Sequence, residues 1–301
     1  MMPPLDTVAA RIRAAEPLGD TDISALAETN DILTLGMLGD EARRSRHGVE
    51  TTFVRVIDLM LPLADGASPE IPSTAREVRL SGPADSFDTL MPHVKRVVAA
   101  AGGVPVSAFT LEALEAQSSA SGRALGDLFG ALRDAGVTLV ASAALDQLLH
   151  AETSLDQLPK AGLGLARLSV EQTAATSARL EHIIRARAIQ RSLGWIRSFA
   201  PLGRTWKPGS PSTGYDDVRQ VALARLIIDN IPSIQIDWSR YGPKLAQVAL
   251  TVGADDIDAV SPLDEAGEGR RRSPLEEIRR NVLAAGLVPV ERDGAGRRVT
   301  A

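Results

Sequence analysis

Short apolar segments alternate with amphipathic segments along most of the chain. The apolar segments are rich in Val, Ile, Leu and Phe and are bounded by Gly or Pro, which is typical of parallel strands buried on both faces. Amphipathic segments typical of helices lie between most of them. Strands separated by helices in this way predict a closed α/β barrel of the (β/α)8 TIM type rather than an open sheet. The predicted strands are residues 51–56, 77–82, 104–109, 137–141, 163–170, 195–199, 233–238 and 256–260.

We predict that residues 1–301 form a single barrel domain. Residues 1–50 form its N-terminal helical segment, 51–263 its strands and helices, and 264–301 a C-terminal helix with a closing stretch. Residues 61–76 interrupt the alternation with three prolines and little helical periodicity, where the first barrel helix belongs. The sequence therefore predicts a shortened first β/α unit and a surface loop at that position.

Composition excludes several classes of chemistry. The chain has 301 residues, no Cys and four His, which excludes disulfides, cysteine nucleophiles, thiolate zinc sites and thiolate-held iron–sulfur clusters. The net charge of −5 favours neither nucleic acid nor an anionic membrane as a partner. Neither an apolar run of about 18 residues nor a signal peptide is visible, so we expect a cytoplasmic protein.

The common phosphate, dinucleotide and metalloprotease motifs do not occur in the chain. Residues 255–258 group three Asp around one Ile, as part of a hard-cation site does. Because no second oxygen-rich segment accompanies them, solvated acids at the start of a strand are the favoured interpretation. We predict no metal site.

Arginines lie inside four predicted strands, at Arg55, Arg79, Arg167 and Arg197. Both faces of a barrel strand are buried, so an arginine there needs a partner. If the four face the lumen, they would bind a carboxylate or phosphate with paired hydrogen bonds. The alternative is that some point outward and pair with acids on the helices.

The last two predicted strands add polar candidates. Gln235 and Asp237 share one strand face, and Asp237 and Trp238 lie at the carboxyl end of their strand, where barrel enzymes carry their chemistry. Trp238 could stack on a flat ring or pack between helix and strand. Asp58, Asp237 and Asp258 are weak candidates for a general base.

Two parts of the sequence resemble a known family. Residues 31–48 resemble the N-terminal helical segment of the menaquinone and deazaflavin radical SAM enzymes, namely aminofutalosine synthase, cyclic dehypoxanthinyl futalosine synthase and FO synthase. Residues 221–232, with the sequence VALARLIIDNIP, are similar to an AVARLMLDNIP-type helix of that family. The similarity extends over 31–56 and 175–293. It implies a radical SAM type of barrel, and it makes Gln235, Trp238 and Asp256 the positions most like the family's pocket.

The same resemblance exposes two differences. In the family, a CxxxCxxC loop after the first strand holds the 4Fe–4S cluster that reduces S-adenosylmethionine, whereas this chain has no Cys. The family's glycine-rich stretch with a following acid, after the fourth strand, is replaced by Ala-Ser-Ala-Ala at 141–144. We therefore do not expect an iron–sulfur cluster or radical generation, and no cofactor is certain. Binding of S-adenosylmethionine stays open.

Three hypotheses of function follow. The first is a cluster-less pseudoenzyme of the menaquinone futalosine pathway, which binds a small anionic or nucleoside-like ligand or docks onto a radical SAM paralogue. The second is an enzyme with non-radical acid/base chemistry in the retained barrel. The third is a structural partner of an active paralogue. The sequence leaves open the ligand, the choice between binding and catalysis, the oligomeric state and the role of the 61–76 loop.

Overall fold

The strands of the computed structural model close into a parallel barrel. The structure describes residues 3–64, 69–83, 87–172, 176–205, 213–266 and 272–299. The strands are β1 (Glu50–Met60), β2 (Glu77–Ser81), β3 (Val106–Thr110), β4 (Leu139–Ala144), β5 (Gly164–Leu165), β6 (Leu168–Gln172), β7 (Ser198–Thr205), β8 (Ser233–Asp237), β9 (Asp256–Val260) and β10 (Val288–Glu291). The barrel closes because β1 pairs with β2 on one edge and with β9 on the other. The predicted (β/α)8 barrel is confirmed.

Two strands depart from a plain eight-strand count. β5 and β6 both pair with β4, so together they form the fifth strand position of the barrel. β10 pairs with the first residues of β1, on the edge that β2 occupies further along that strand. Residues 288–299, which we call the closing segment, therefore lie at the amino-terminal end of the barrel.

Helices cover the outside of the barrel. They are α1 (Leu5–Arg13), α2 (Asp20–Glu28), α3 (Ile32–His47), α4 (Phe87–Ala100), α5 (Leu111–Ser121), α6 (Leu125–Asp134), α7 (Ala151–Lys160), α8 (Thr176–Leu193), α9 (Gly214–Ile227), α10 (Trp238–Leu250) and α11 (Pro274–Ala284). Several begin at the side chains that the sequence offers as caps. Ser273 caps α11 by accepting from Glu276 N–H, and Thr213 and Asp216 form a capping box at α9. Among the described residues, no helix is both long and apolar enough to cross a membrane.

The first β/α unit is short, as predicted. The described residues between Met60 and Glu77 form no helix. Part of the predicted 61–76 loop, residues 65–68, lies outside the described residues.

The barrel core is buried mostly where strands meet helices, through side chains such as Phe53, Phe199, Ile236 and Ile257.

Two of the four strand arginines do not lie inside strands. Arg197 precedes β7, which starts at Ser198 and runs on to Thr205, and Arg167 lies between β5 and β6. The shift at β7 arises because the strand continues past Pro201 and Gly203, residues that the sequence pattern interprets as its end.

Candidate functional site

The barrel lumen contains charged side chains in two layers. Along β9, Ile257 is buried on the face opposite Asp256 and Asp258, because successive side chains of a strand point to opposite faces. Both carboxylates are 1 % exposed, and each is hydrogen-bonded to arginine. We call the residues around Asp258 the upper layer and those around Asp256 the lower layer. A charged lumen differs from the apolar side-chain layers usual in these barrels.

Two arginines converge on Asp258 in the upper layer. Arg79 Nη2 donates to both carboxylate oxygens, at 2.8 and 3.1 Å, and Arg167 Nη1 donates to Oδ2. Arg79 also donates from Nε to Glu77 Oε1 at 3.1 Å, and that oxygen accepts a hydrogen bond of 2.6 Å from Ser107. The two cations and the two buried acids of this layer therefore balance one another.

The pKa values of the upper layer follow from this balance. Burial alone would raise the pKa of Asp258, but Arg167 and Arg79 outweigh it and hold that pKa well below its usual range. Burial and the like charge of Arg79 lower the pKa of Arg167. The pKa of Arg79 is raised despite its burial, because it faces Glu77 and Asp58 as well as Asp258. Asp258 is thus a permanent counter-ion, which argues against its predicted role as a general base.

A cavity of about 360 Å³ lies above the upper layer, at the carboxyl ends of the strands. Barrel enzymes of this type carry their active sites at that end. We call it the upper cavity. Its lining residues are Asp58, Arg79, Leu80, Ser81, Gly82, Phe109, Thr110, Ala113, Ala141, Ser142, Arg167, Arg204, Asp237, Ser239, Arg240 and Ala259.

Arg204 lines the upper cavity and forms no ion pair in the described part of the chain, although Glu171 lies near enough for Arg204 to oppose the rise in the pKa of that carboxyl caused by burial. Its Nη1 donates to Ser142 Oγ at 2.9 Å, and its Nε is buried with no hydrogen-bond partner in the described part of the chain. No carboxylate of that part lies within ion-pair distance of its guanidinium. Arg240 lies beside it and donates to the Arg204 carbonyl, with its own Nε 3.9 Å from Asp237 Oδ2. Neither arginine is among the residues predicted from the sequence: Arg204 lies beyond the predicted strand end at residue 199, and Arg240 lies in α10, outside the predicted strands.

Asp58, near the carboxyl end of β1, presents an exposed carboxylate to the upper cavity. Its side chain is 63 % exposed, its Oδ1 lies 3.8 Å from Arg79 Nη1, and neither oxygen accepts a hydrogen bond from the described residues. The surrounding barrel wall desolvates this carboxyl and raises its pKa above the ordinary value, although Arg79 opposes the change. Asp58 is one of the three aspartates that the sequence predicts as bases.

Two lining residues hold unusual backbone conformations. Phe109 in β3 has φ 56° and Ala259 in β9 has φ 57°, both in the left-handed region. That region costs a residue with a Cβ about 1–2 kcal/mol. Strain of this kind persists only where the surrounding structure enforces it, and it clusters at binding and active sites.

The lower layer is closed by the closing segment. Asp256 accepts two hydrogen bonds of 2.6 Å from Arg292, one of 2.7 Å from Gln235 Nε2 and one of 2.5 Å from Thr52. Gln235 and Asp256 therefore lie below the upper cavity rather than among its lining residues. A second cavity, of about 300 Å³, opens beneath this layer at the amino-terminal end of the barrel.

The remaining predicted site residues lie outside the upper layer. Arg55 pairs with Glu291 Oε1 at 2.7 Å and with Asp264 at 3.3 Å, so its partners lie on β10 and after β9 rather than on a helix as the alternative predicts. Arg197 is exposed, lines the lower cavity and donates to the Gly296 carbonyl at 3.3 Å.

The carboxyl end of β8 supplies one lining residue and one packing residue. Asp237 lines the upper cavity but also caps α10, by accepting from Arg240 N–H at 3.1 Å and from Ser239 Oγ at 2.8 Å. Trp238 is the buried first residue of α10 and packs in the core. Of the two interpretations of Trp238, packing between helix and strand is the one that fits its buried position.

The segment after β1 offers no thiolate donors. Leu61 is buried with its N–H bonded to the Ser81 carbonyl at 2.7 Å, and Leu63 N–H bonds to His93 Nδ1 at 3.2 Å. The described residues contain no group of three His, Cys, Asp or Glu placed to hold a metal ion. The side chains of this segment do not fit the ligand set of a thiolate-held 4Fe–4S cluster.

Comparison with known proteins finds relatives that match part of this chain. A family described as the CofH/MqnC C-terminal region matches residues 202–294. Aminodeoxyfutalosine synthase of Thermus thermophilus is 37% identical over 136 residues, 40% of this chain and 36% of that enzyme. Cyclic dehypoxanthine futalosine synthase of Streptomyces coelicolor is 32% identical over 145 residues, 44% of this chain and 36% of that enzyme. The chain is related to these radical SAM enzymes.

A further relative matches part of the chain, and two solved structures share its fold. The 5-amino-6-(D-ribitylamino)uracil–L-tyrosine 4-hydroxyphenyl transferase of Archaeoglobus fulgidus is 34% identical over 128 residues, 38% of this chain and 37% of that enzyme. The matches to these radical SAM relatives thus span little more than a third of their length. Methylornithine synthase shares the fold over 94% of this chain and 97% of its own, with a TM-score of 0.66 and 13% identity. The FeFe-hydrogenase maturase HydG of Carboxydothermus hydrogenoformans gives 0.64 at 10% identity, over 95% of this chain and 79% of its own.

Proposed function

We propose that this protein binds a small anionic or nucleoside-like ligand in the upper cavity, in the neighbourhood of menaquinone synthesis by the futalosine route. The observation that carries the proposal is Arg204, a half-buried cation that forms no ion pair with the described residues, in a cavity at the carboxyl ends of the barrel strands. A cation in that setting favours binding of an anion. The relationship to futalosine enzymes supports the pathway.

We propose in addition that this protein is a pseudoenzyme, in that it does not generate radicals as the radical SAM enzymes do. The barrel position after β1, where the resembled family places its cluster ligands, lies within this chain and carries no Cys. Binding of a ligand needs no such cluster. The residues of the cavity can bind and orient: Arg204 and Arg240 attract an acid group, Ser142 and Ser239 offer hydroxyls, and the neutral upper layer forms the floor.

Isothermal titration calorimetry tests the proposal. S-adenosylmethionine, aminofutalosine and chorismate-derived carboxylic acids are titrated into the protein at low and at physiological salt. We expect heat from at least one acid, with affinity reduced about tenfold or more in Arg204→Gln, because a charged hydrogen bond of this kind contributes about 1.5–3 kcal/mol. Arg197→Gln, at the opposite end of the barrel, is the matched control. Absence of heat and of thermal shift with every compound refutes the proposal.

Asp58 supports a second candidate function, non-radical acid/base catalysis. Its carboxyl has a raised pKa, faces the cavity and lies 3.8 Å from Arg79, which could stabilise an anion formed by proton removal. Deuterium exchange into a bound ligand, followed by mass spectrometry, tests it. Exchange that requires Asp58, with binding retained in Asp58→Asn, supports catalysis; no exchange with any bound ligand rejects it.

Docking onto a radical SAM paralogue stays a third proposal. It is tested by capture of a purified aminodeoxyfutalosine synthase or cyclic dehypoxanthine futalosine synthase from the same cell. Capture of either enzyme supports the accessory role, and a monomeric elution profile with both rejects it.

A further inference from the structure

The lower cavity, of about 300 Å³, lies at the end of the barrel that packed side chains usually fill in folds of this type. Its volume is within the range of small-molecule pockets. Small residues at or beside the strand starts leave this space, namely Thr52, Gly164, Ala166, Ser198 and Ser233. The amino-terminal end of the lumen is therefore open beneath the lower layer.

The closing segment lines the same cavity with Gly294, Ala295 and Gly296. Gly296 has φ 79°, in the left-handed region that glycine adopts without a steric penalty. A Cβ at Gly296 would lie 2.6 Å from Arg197 Nη2. Glycine at this position therefore lets the Arg197 guanidinium lie against the closing segment, at the edge of the lower cavity.

Arg197 gives the lower cavity a positive charge. It forms no ion pair with the described residues, and its hydrogen bond there runs from Nη2 to the Gly296 carbonyl at 3.3 Å. The two other charged residues of the described lining, Arg292 and Asp256, neutralise each other. The lining therefore carries one net positive charge, which favours binding of one anionic group.

The rest of the lining is mostly apolar. Leu139, Leu165, Trp195 and Pro232 contribute side chains that an apolar molecule can contact. The Ser233 hydroxyl forms no hydrogen bond with the described part of the chain, and Trp195 Nε1 is buried there without a partner. A molecule with an apolar body and a hydrogen-bond acceptor complements such a surface.

A carboxylate suits the lower cavity better than a phosphate. One guanidinium balances the single charge of a carboxylate, and its fork of N–H groups matches two carboxylate oxygens. A phosphate group brings about −1.5 to −2 charges at neutral pH, which Arg197 alone does not balance. It would also place the excess charge beside apolar side chains, where desolvation is costly.

We propose that the lower cavity is a second binding site, for a small carboxylic acid with an apolar body. The carboxylate binds Arg197 and the Ser233 hydroxyl, and the body packs on Trp195 and Leu165. The two layers of paired charges separate this site from the upper cavity, so the inference does not depend on the proposed function. Because strands and closing segment both line the site, a bound acid also stabilises the contact between them.

Three compounds separate the features of this ligand. Cyclohexanecarboxylate has both, cyclohexanecarboxamide lacks the charge, and acetate lacks the apolar body. By isothermal titration calorimetry, we expect the acid to bind the wild-type protein about fivefold tighter than the amide, an effect limited by the exposure of Arg197 and smaller at high salt. Acetate should bind about tenfold or more weakly than cyclohexanecarboxylate, because it buries little apolar surface.

Two variants assign the binding to the lower cavity. Arg197→Gln should abolish the preference for the acid over the amide, and Ala166→Leu should abolish binding of the acid by filling the cavity. Arg297→Gln is the matched control, because Arg297 is an exposed residue of the closing segment that pairs with Asp293 and does not line the cavity. It removes the same charge and should keep the preference.

Thermal unfolding provides a second measurement. Saturating cyclohexanecarboxylate should raise the Tm of the wild type and of Arg297→Gln but not that of Ala166→Leu. Circular dichroism checks that each variant is folded. The preference for the acid is a ratio within one variant, so a general loss of stability does not imitate the loss of the Arg197 contact.

Several results would overturn the inference. They are equal binding of acid and amide to the wild type, a preference that survives Arg197→Gln, and heat that survives Ala166→Leu. Loss of binding in Arg204→Gln but not in Arg197→Gln would place the acid in the upper cavity, which overturns the inference and supports the proposed function. Absence of both heat and thermal shift with cyclohexanecarboxylate overturns the inference and leaves the proposed function standing.

Discussion

Asp256 and Asp258 lie two residues apart on β9, and the chain neutralises them in different ways. Asp256 is paired with Arg292 of the closing segment, and Asp258 is paired with Arg79 and Arg167 from the barrel wall. The lower layer therefore includes an arginine of the closing segment, which follows the barrel strands in the sequence. The upper layer consists of side chains of the barrel wall alone and lies beneath the upper cavity. The same type of buried ion pair holds the closing segment against the barrel in one layer and forms the floor of a cavity in the other.

The largest expected effect is the loss of the upper counter-ion. Asp258→Asn leaves Arg167 buried without its acid partner and Arg79 with Glu77 and Asp58 alone, which costs about 3–5 kcal/mol in the free energy of unfolding. Guanidinium denaturation followed by circular dichroism measures it. A loss below about 1 kcal/mol would show that water or a rearranged Glu77 compensates the arginines, and that the upper layer is less closed than its geometry indicates.

A smaller loss is expected from the lower layer. In Arg292→Gln, Asp256 keeps its hydrogen bonds from Thr52 and Gln235, so the free energy of unfolding should fall by roughly 2 kcal/mol. Ligand affinity at the upper cavity should not change. If Arg292→Gln lowered ligand affinity as well as stability, the two layers would act as one functional unit, and the distinction between them would be wrong.

The strained residues of the cavity predict a change of opposite sign. Ala259→Gly should raise the free energy of unfolding by about 1 kcal/mol, because glycine adopts the left-handed conformation without a Cβ penalty. Ala141→Gly is the matched control, since Ala141 lines the same cavity without a positive φ and should lose about 0.5–1 kcal/mol. Equal destabilisation by both changes would contradict the assignment of strain.

The smallest expected effect is a difference in pH dependence. The pKa of Asp58 is raised in the folded state, so this carboxyl favours folding below its unfolded pKa of about 3.9 and loses that contribution as pH rises through the folded value. Asp258, with a lowered pKa, acts in the opposite direction and stabilises above about 3.9.

Urea midpoints between pH 4 and 7 test this difference. Asp58→Asn should be more stable than the wild type near neutrality, because the variant avoids a desolvated charge, and the advantage should shrink toward pH 4. An advantage independent of pH would mean that Asp58 titrates as an ordinary surface acid.

The sequence predicted the barrel and part of its site for identifiable reasons. The alternation of apolar strands with helices predicts a parallel barrel. Side chains two residues apart on a strand share a face, so Glu77 and Arg79 point to the same side, as do Asp256 and Asp258. The same rule could have excluded Arg55. It lies an odd number of residues from Asp58 on β1, so the two side chains point to opposite faces.

Other parts of the site depend on contacts that no local pattern contains. Arg204 was missed because pairing with β6 extends β7 through Pro201 and Gly203, against their local preference for ending a strand. The partnership of Asp256 with Arg292 joins residues 36 positions apart. A likeness to a family pocket can mark Asp256 as important, but only the fold shows that it lies below the cavity.

The neutral upper layer also bears on how readily this barrel can acquire a new ligand. Its four charged side chains satisfy one another, so the barrel does not need any particular ligand to compensate its floor. The recognition groups instead lie on the rim, at the ends of β1 and β7, where substitutions disturb little of the packing. Substitutions at these rim positions should therefore leave the ion pairs of the floor, and the stability that they contribute, unchanged.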